Sequence, residues 1–258
     1  LREGHVDGYR LDAAWGIRAR SPTFWPRFVD DVRRIRPGAP LIAEASILDD
    51  FYTQQGFDAA YDWTESLGHA AWEHVFDDKP GIARRLHAAV ARTNEHTLRF
   101  LNNNDTGERF ITRHGEALTR VATVALLTLP GIPCLYSFDE VGAEFKPYES
   151  LEPVHVRNDS LREFHQRWIW LRRTHPALSG SGFEVVDVGS RDELYAYLRS
   201  GGGRKVLVLL NFSRSPVTRD LPLPQSFTDL MSGETLASER GRLHVALGPW
   251  EARALEQR

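Results

Sequence analysis

A chain of 258 residues, 41% hydrophobic and 26% charged, has ordinary globular composition and enough length for one large domain or two smaller ones. The net charge of −3 gives no electrostatic reason to expect nucleic acid or an anionic membrane as partner, and a single cysteine, Cys134, excludes an internal disulfide and a cysteine-rich zinc site. No apolar run approaches a membrane span, and a chain that opens inside a strand-like segment without an initiator Met reads as a fragment whose start is lost, so the compartment, cytoplasmic or exported, stays open.

"VDGYRLDA" (6–13) reads as a strand ending at Asp12. In "SPTFWPRFVDDVRRIRP" (21–37), Ser21 is expected as N-cap with Pro22 at the first helical position, and Phe24, Phe28, Val32 and Ile35 recur at helical spacing. "PLIAEAS" (40–46) has the continuous apolar run of a strand buried on both faces, and "FDAAYDW" (57–63) is a weaker strand. "GIARRLHAAVARTN" carries Ile82, Leu86, Ala89 and Val90 on one helical face, and "LRFLNNND" (98–105) is a strand running into a polar cluster. "ALTRVATVALLTLP" (117–130) predicts a buried helix, "IPCLYSF" (132–138) a strand, and "SLREFHQRWIWLRRTHP" a helix stopped by Pro176.

Beyond Phe183 the helical period vanishes. "FEVVDVG", "ELYAYLR", "KVLVLLNFS", "RLHVAL" and "EARALE" read as antiparallel strands, with a hairpin turn at Gly201, Gly202 and Gly203 and prolines 216, 222 and 224 at edges. The charges at Arg191 and Asp192 read as a solvated turn.

Strand–helix alternation predicts a parallel α/β sheet, and the strands end in Asp12, Glu44, Asp62, Asp105 and Asp139. Carboxylates gathered at the C-terminal ends of successive strands are how a (β/α)8 TIM barrel builds an active site, whereas no glycine-rich phosphate loop supports a doubly wound sheet. About five strand–helix units are present where a barrel has eight, so the expectation is the second half of a barrel over 1–180 and a small all-β antiparallel sandwich over 181–258. Asp12, Glu44 and Asp105 each terminate an apolar strand, where a carboxylate is costly unless it is paired or functional; the plain alternative for each is a solvated loop or cap residue. Glycosidic cleavage requires such a set, one carboxylate ionised and another protonated. Arg10 would hold Asp12 ionised, and the apolar flanks of Glu44 would raise its pKa. Of the tryptophans, Trp25, Trp168 and Trp170 read as core, while Trp15 and Trp63 follow strand ends where they could line a sugar subsite. Cys134 reads as a buried inert thiol, and the scattered histidines predict no metal site.

"DGYRLDAA", "LIAEAS" and "FLNNNDTGERF", in this order, resemble the sequence blocks of the α-amylase superfamily (glycoside hydrolase family 13). "LTLPGIPCLYSFDEVGAE" looks like its eighth barrel strand, and the segment ending "LGPWEARALE" looks like its C-terminal domain. The resemblance implies a retaining hydrolase of α-glucans or maltooligosaccharides, with Asp12 as nucleophile, Glu44 as general acid/base, Asp105 as the carboxylate gripping sugar hydroxyls, and Arg10 positioning Asp12. Such a pair would lie about 5–5.5 Å apart. It implies no cofactor for the chemistry, a structural calcium ion at most in the missing N-terminal part, and that missing half of the barrel as a structural partner. Three positions depart from the pattern: Asn104 replaces the usual His before the last Asp, Trp15-Gly16 replaces a Lys-His pair, and Phe138 replaces a Gly. Two other readings stay open, a glucan-transferring or sugar-isomerising enzyme of the same superfamily and a non-catalytic amylase-like binding protein.

Overall fold

The computed structural model describes residues 6–64, 72–77, 80–150, 154–155, 157–190 and 192–258. Five parallel strands come first: β1 (Tyr9–Leu11), β2 (Leu41–Ser46), β3 (Ala59–Tyr61), β4 (Thr97–Arg99) and β5 (Ile132–Pro133). The connections carry α1 (Ala14–Arg20), α2 (Phe24–Ile35), α3 (Phe51–Gln54), α4 (Ile82–Ala91) and α5 (Phe110–Thr128), and α6 (Asp159–Thr174) and α7 (Pro176–Ser179) follow. The strands neighbour one another strictly in chain order, β1-β2-β3-β4-β5. A doubly wound sheet reverses order at a switch point; an uninterrupted parallel succession is an arc of a (β/α)8 barrel.

Alternation along the strands decides what each face carries. Leu41, Ala43 and Ala45 of β2 pack with Trp25, Val29 and Val32 of α2, while Ile42 turns the other way, against Tyr61, Trp63, Leu98, Phe100 and Cys134. Arg10 and Glu44 fall by the same period on the inner face with Ile42.

The first helical segment departs from expectation. Residues 14–20 form α1, and the N–H of Ser21 closes it by donating to the Ile17 carbonyl (2.9 Å), so Ser21 ends one helix rather than capping the next. With Thr23 as N-cap, α2 buries Trp25, Val29 and Val32, and the expected Phe24 and Ile35 are 42% and 46% exposed. The apolar stripe is displaced because the run Phe24-Trp25 offers two helical registers, and only contact with β2 chooses between them. In α6, Trp168 is buried but Trp170 is 65% exposed, as two residues about 200° apart around a helix must be. Among the described residues no helix is long and apolar enough to cross a membrane.

The remainder is antiparallel: β6 (Gly182–Val185), β7 (Leu194–Gly201), β8 (Arg204–Asn211), β9 (Val217–Leu221), β10 (Phe227–Asp229), β11 (Thr235–Leu236), β12 (Ser238–Glu239), β13 (Arg242–Leu247) and β14 (Ala252–Gln257). They form a six-stranded sheet, β11-β10-β14-β8-β7-β6, facing a three-stranded one, β12-β13-β9. Leu194, Ala196, Leu207, Leu209, Val217, Leu243 and Val245 fill the space between them. On the opposite face of the large sheet, Tyr195, Tyr197, Val206, Val208 and Leu210 join the core that holds Leu86, Leu126 and Trp168 of the barrel helices. Burial on both faces explains why β7 and β8 read as unbroken apolar runs. Gly202 and Gly203, at φ 56° and 75°, supply the two left-handed positions of the β7–β8 hairpin turn. Of the expected charged turn, Asp192 is exposed and Arg191 lies outside the described residues.

Candidate active site

Leu11 of β1 pairs with Ala43 of β2, so the same register one residue further sets Asp12 beside Glu44 at the C-terminal edge of the sheet. Paired positions on parallel strands point to one side, about 4.8 Å apart. The guanidinium of Arg10 joins the two carboxylates: Nη1 donates to Asp12 Oδ1, and Nη2 lies 2.8 Å from Glu44 Oε1. Its third edge is used as well, since Nε donates to the hydroxyl of Tyr61 at 3.0 Å. Glu44 Oε2 accepts the backbone N–H of Ala13 at 2.6 Å. Ala13 occupies the left-handed region at φ 42°, an uncommon conformation for a residue with a Cβ, and this turn aims its N–H at Glu44.

The two carboxyls have opposite surroundings. Asp12 is 79% exposed in its side chain, and the hydrogen bond and charge of Arg10 hold it below the ordinary carboxylate range. Glu44 is only 10% exposed. Burial pushes its carboxyl up, and the ionised Asp12 adds to that against the pull of the Ala13 N–H and Arg10. Two titratable groups driven apart in this way are an ionised base or nucleophile beside a protonated acid.

Asp105 follows β4 at the same edge. It is exposed, and its Oδ1 lies 3.5 Å from the hydroxyl of Tyr148, which also accepts the Asn104 side-chain N–H at 2.6 Å. The three asparagines thus divide their tasks. Asn102 accepts the Phe110 N–H at the start of α5 (2.7 Å) and donates to Asp139, and Asn103 accepts the Asp105 N–H (2.8 Å), whereas Asn104 turns outward to Tyr148. Among the described residues, Asp105 makes no hydrogen bond or ion pair with Arg10, Asp12 or Glu44.

Two of the five strand-end carboxylates are tied to buried arginines. Asp62 is fully buried against Arg99 at 2.6 Å, and Asp139 is paired with the buried Arg109. They serve as counter-ions for buried guanidiniums. Trp15 is 49% exposed on α1, beside Arg18, Asp49 and Tyr52. Trp63, by contrast, is 3% exposed, with its ring edge-on to Tyr61, and offers no open face for stacking a sugar. Cys134 is half-buried, and burial raises its thiol pKa, the direction of an inert thiol. Among the described residues no three His, Cys, Asp or Glu side chains converge as a metal-ion cage. Tyr61 and Tyr148 are the site neighbours that sequence reasoning missed. Period-2 alternation with Trp63 could have flagged Tyr61; Tyr148, in a loop at φ 66°, carries no periodic signal.

The family model for the C-terminal domain of maltogenic amylase matches residues 183–253. An α-amylase of Haloarcula japonica is 31% identical over 242 residues, 89% of this chain and 35% of that protein. A cyclomaltodextrinase of Geobacillus thermopakistaniensis is 28% identical over 275 residues, 97% of this chain and 45% of that protein. The chain therefore spans less than half the length of either relative. Among solved structures, an α-amylase from Geobacillus thermoleovorans complexed with acarbose superimposes with a TM-score of 0.81 at 19% identity, covering 100% of this chain and 61% of that one.

Proposed function

This chain belongs to the α-amylase superfamily of glycoside hydrolases, and from that premise we propose that it carries the nucleophile and the acid/base of a retaining hydrolase of α-glucans. The observation that carries the reading is the single guanidinium of Arg10 spanning the exposed Asp12, which it holds below the ordinary carboxylate range, and the buried Glu44, which burial pushes up. Asp12 attacks the anomeric carbon while Glu44 protonates the departing glycosidic oxygen, giving a glycosyl ester on Asp12. Glu44, now a carboxylate, removes a proton from water, and the hydroxide oxygen displaces Asp12 from the sugar. One guanidinium reaching both carboxyls holds them close together, the arrangement of a retaining pair rather than of two groups spaced apart for a water.

Asp105, with Asn104 and Tyr148, binds the hydroxyls of the sugar being cleaved, and Trp15 stacks against a neighbouring sugar. Residues 1–180 serve as barrel and 181–258 as the sandwich that braces it. The chemistry requires no cofactor.

The test is to treat the complete natural protein with a 5-fluoro-α-glucosyl fluoride, digest it and locate the label by mass spectrometry. The sugar should sit on Asp12, and Asp12→Asn should lose both label and maltooligosaccharide turnover by several orders of magnitude. A label on another carboxylate, or release of product with inverted anomeric configuration, overturns the reading.

A further inference from the structure

We propose that Tyr61 is a positioning residue for the reaction, fixing the Nε edge of Arg10 so that Nη1 and Nη2 engage Asp12 and Glu44 together. This rests on the hydrolytic reading above and adds to it the element that holds the pair in place.

The geometry assigns this part to the hydroxyl. Arg10 stands on β1 and Tyr61 on β3, so the hydrogen bond at 3.0 Å reaches across β2, which carries Glu44. A guanidinium is a rigid planar fork with five donors, and once Nε is fixed the directions of the other two nitrogens follow. Without that anchor a side chain 34% exposed beside the solvated Asp12 can turn towards Asp12 alone. Tyr61 is suited to anchor it. The residue is 8% exposed, and its ring sits between Trp63 and Phe100 with centroids 5.1 and 5.4 Å away. Its face also lies 5.6 Å from the Arg10 Cζ, so ring and hydroxyl both constrain the cation.

The titratable and charged groups facing Glu44 are Arg10 and Asp12 from the β1 side and Tyr61 from β3, with the Cys134 thiol near Tyr61 from the β5 side. Loss of the Tyr61 hydroxyl lets Arg10 slide towards Asp12 and weakens its pull on Glu44. The acid/base then holds its proton to higher pH.

The test is Tyr61→Phe in the complete natural protein, which keeps the ring and removes one oxygen. The expected result is a ten- to hundredfold fall in kcat, KM within about twofold, and a shift of the basic limb of the kcat/KM profile to higher pH. Unchanged kcat and pH profile overturn the proposal, because packing alone would leave both in place. Arg10→Lys, alone and combined with Tyr61→Phe, is the second measurement. If Tyr61 acts through Arg10, the double variant is no worse than Arg10→Lys; multiplied losses overturn the proposal even if Tyr61→Phe is poorly folded. Asp12→Asn run in parallel separates the two levels: retained turnover there sinks the hydrolytic reading itself, whatever Tyr61→Phe does.

Discussion

Asp62→Asn should be among the most destabilising single substitutions in the parallel part of the fold. Asp62 and Arg99 are 0% and 1% exposed in their side chains and meet at 2.6 Å. Arg99 spends its remaining nitrogens on the Pro130 carbonyl and the Thr93 hydroxyl, so among the described residues no second carboxylate replaces Asp62 as counter-charge. The surroundings are already cationic: burial and the charge of Arg99 lower Arg172, and Arg199 is pushed down to about 10 by burial and by the charges of Arg172 and Arg99. Breaking a buried pair by removing one partner costs about 3–5 kcal/mol, and the extra guanidiniums place this case in the upper half of that range. At roughly 2–4 °C per kcal/mol for a chain of this size, Tm should fall by about 10 °C or more. Scanning calorimetry and urea unfolding of the complete protein measure it. The double variant Asp62→Leu with Arg99→Met should recover most of the loss, since an apolar pair carries no desolvation cost. A loss below about 1 kcal/mol for Asp62→Asn, or no recovery in the double variant, would refute the reasoning.

Glu44→Gln should lower turnover of maltooligosaccharides by about 10²–10⁴ and abolish the basic limb of the pH profile, yet leave the initial burst of fluoride from α-glucosyl fluoride largely intact, because fluoride departs without a proton and only the later hydrolysis of the ester needs Glu44 as base. A fluoride burst slowed as much as maltooligosaccharide turnover would argue against Glu44 as the acid. Asn104→His should change KM more than kcat if this side chain binds sugar equally in ground and transition states; a fall in kcat at constant KM would contradict that. Glu256 is held below its ordinary range chiefly by the Arg204 hydrogen bond, with His175 helping at 3.1 Å. A carboxyl lowered on folding stabilises above its unfolded pKa near ~4.3, and the contribution is lost as pH falls through the folded value. The Tm gap between Glu256→Gln and the parent should thus be present at pH 7 and close as pH falls through the lowered folded value; a gap independent of pH would show that charge is not its origin.

What could be read from the sequence follows from how local the governing physics is. Asp12 and Glu44 are legible because strand period and strand order alone place them side by side, and because an arginine two residues before an aspartate shares its face. Helix α1 was missed because Gly16 lies inside it and Ala13 enters it in a left-handed conformation without a side-chain cap. That omission carried the N-cap to Ser21. The choice between Phe24 and Trp25 as the buried face depends on the sheet, which no window of the chain contains. Asp62 and Asp139 look like Asp12 in sequence, each an acid after an apolar strand. Arg99 and Arg109, each distant in the chain, make them counter-ions instead. Trp63 was misread for a related reason: following a strand end says nothing about whether Tyr61 and Phe100 will cover the ring.

The shared core between the barrel helices and the large antiparallel sheet bears on how such a protein can be inherited in pieces. Tyr195, Tyr197, Val206, Val208 and Leu210 are at most 0% exposed because Leu86, Leu126 and Trp168 lie over them. A recombination joint placed near residue 180 would give a foreign sandwich a barrel surface shaped for other side chains, and both halves would show wet apolar faces until they were re-matched. The sandwich is thus a poor cassette. Substitutions on α4, α5 or α6 that change volume should be tolerated only alongside answering changes on β7 and β8, so the two halves are expected to drift as one lineage rather than be exchanged between proteins.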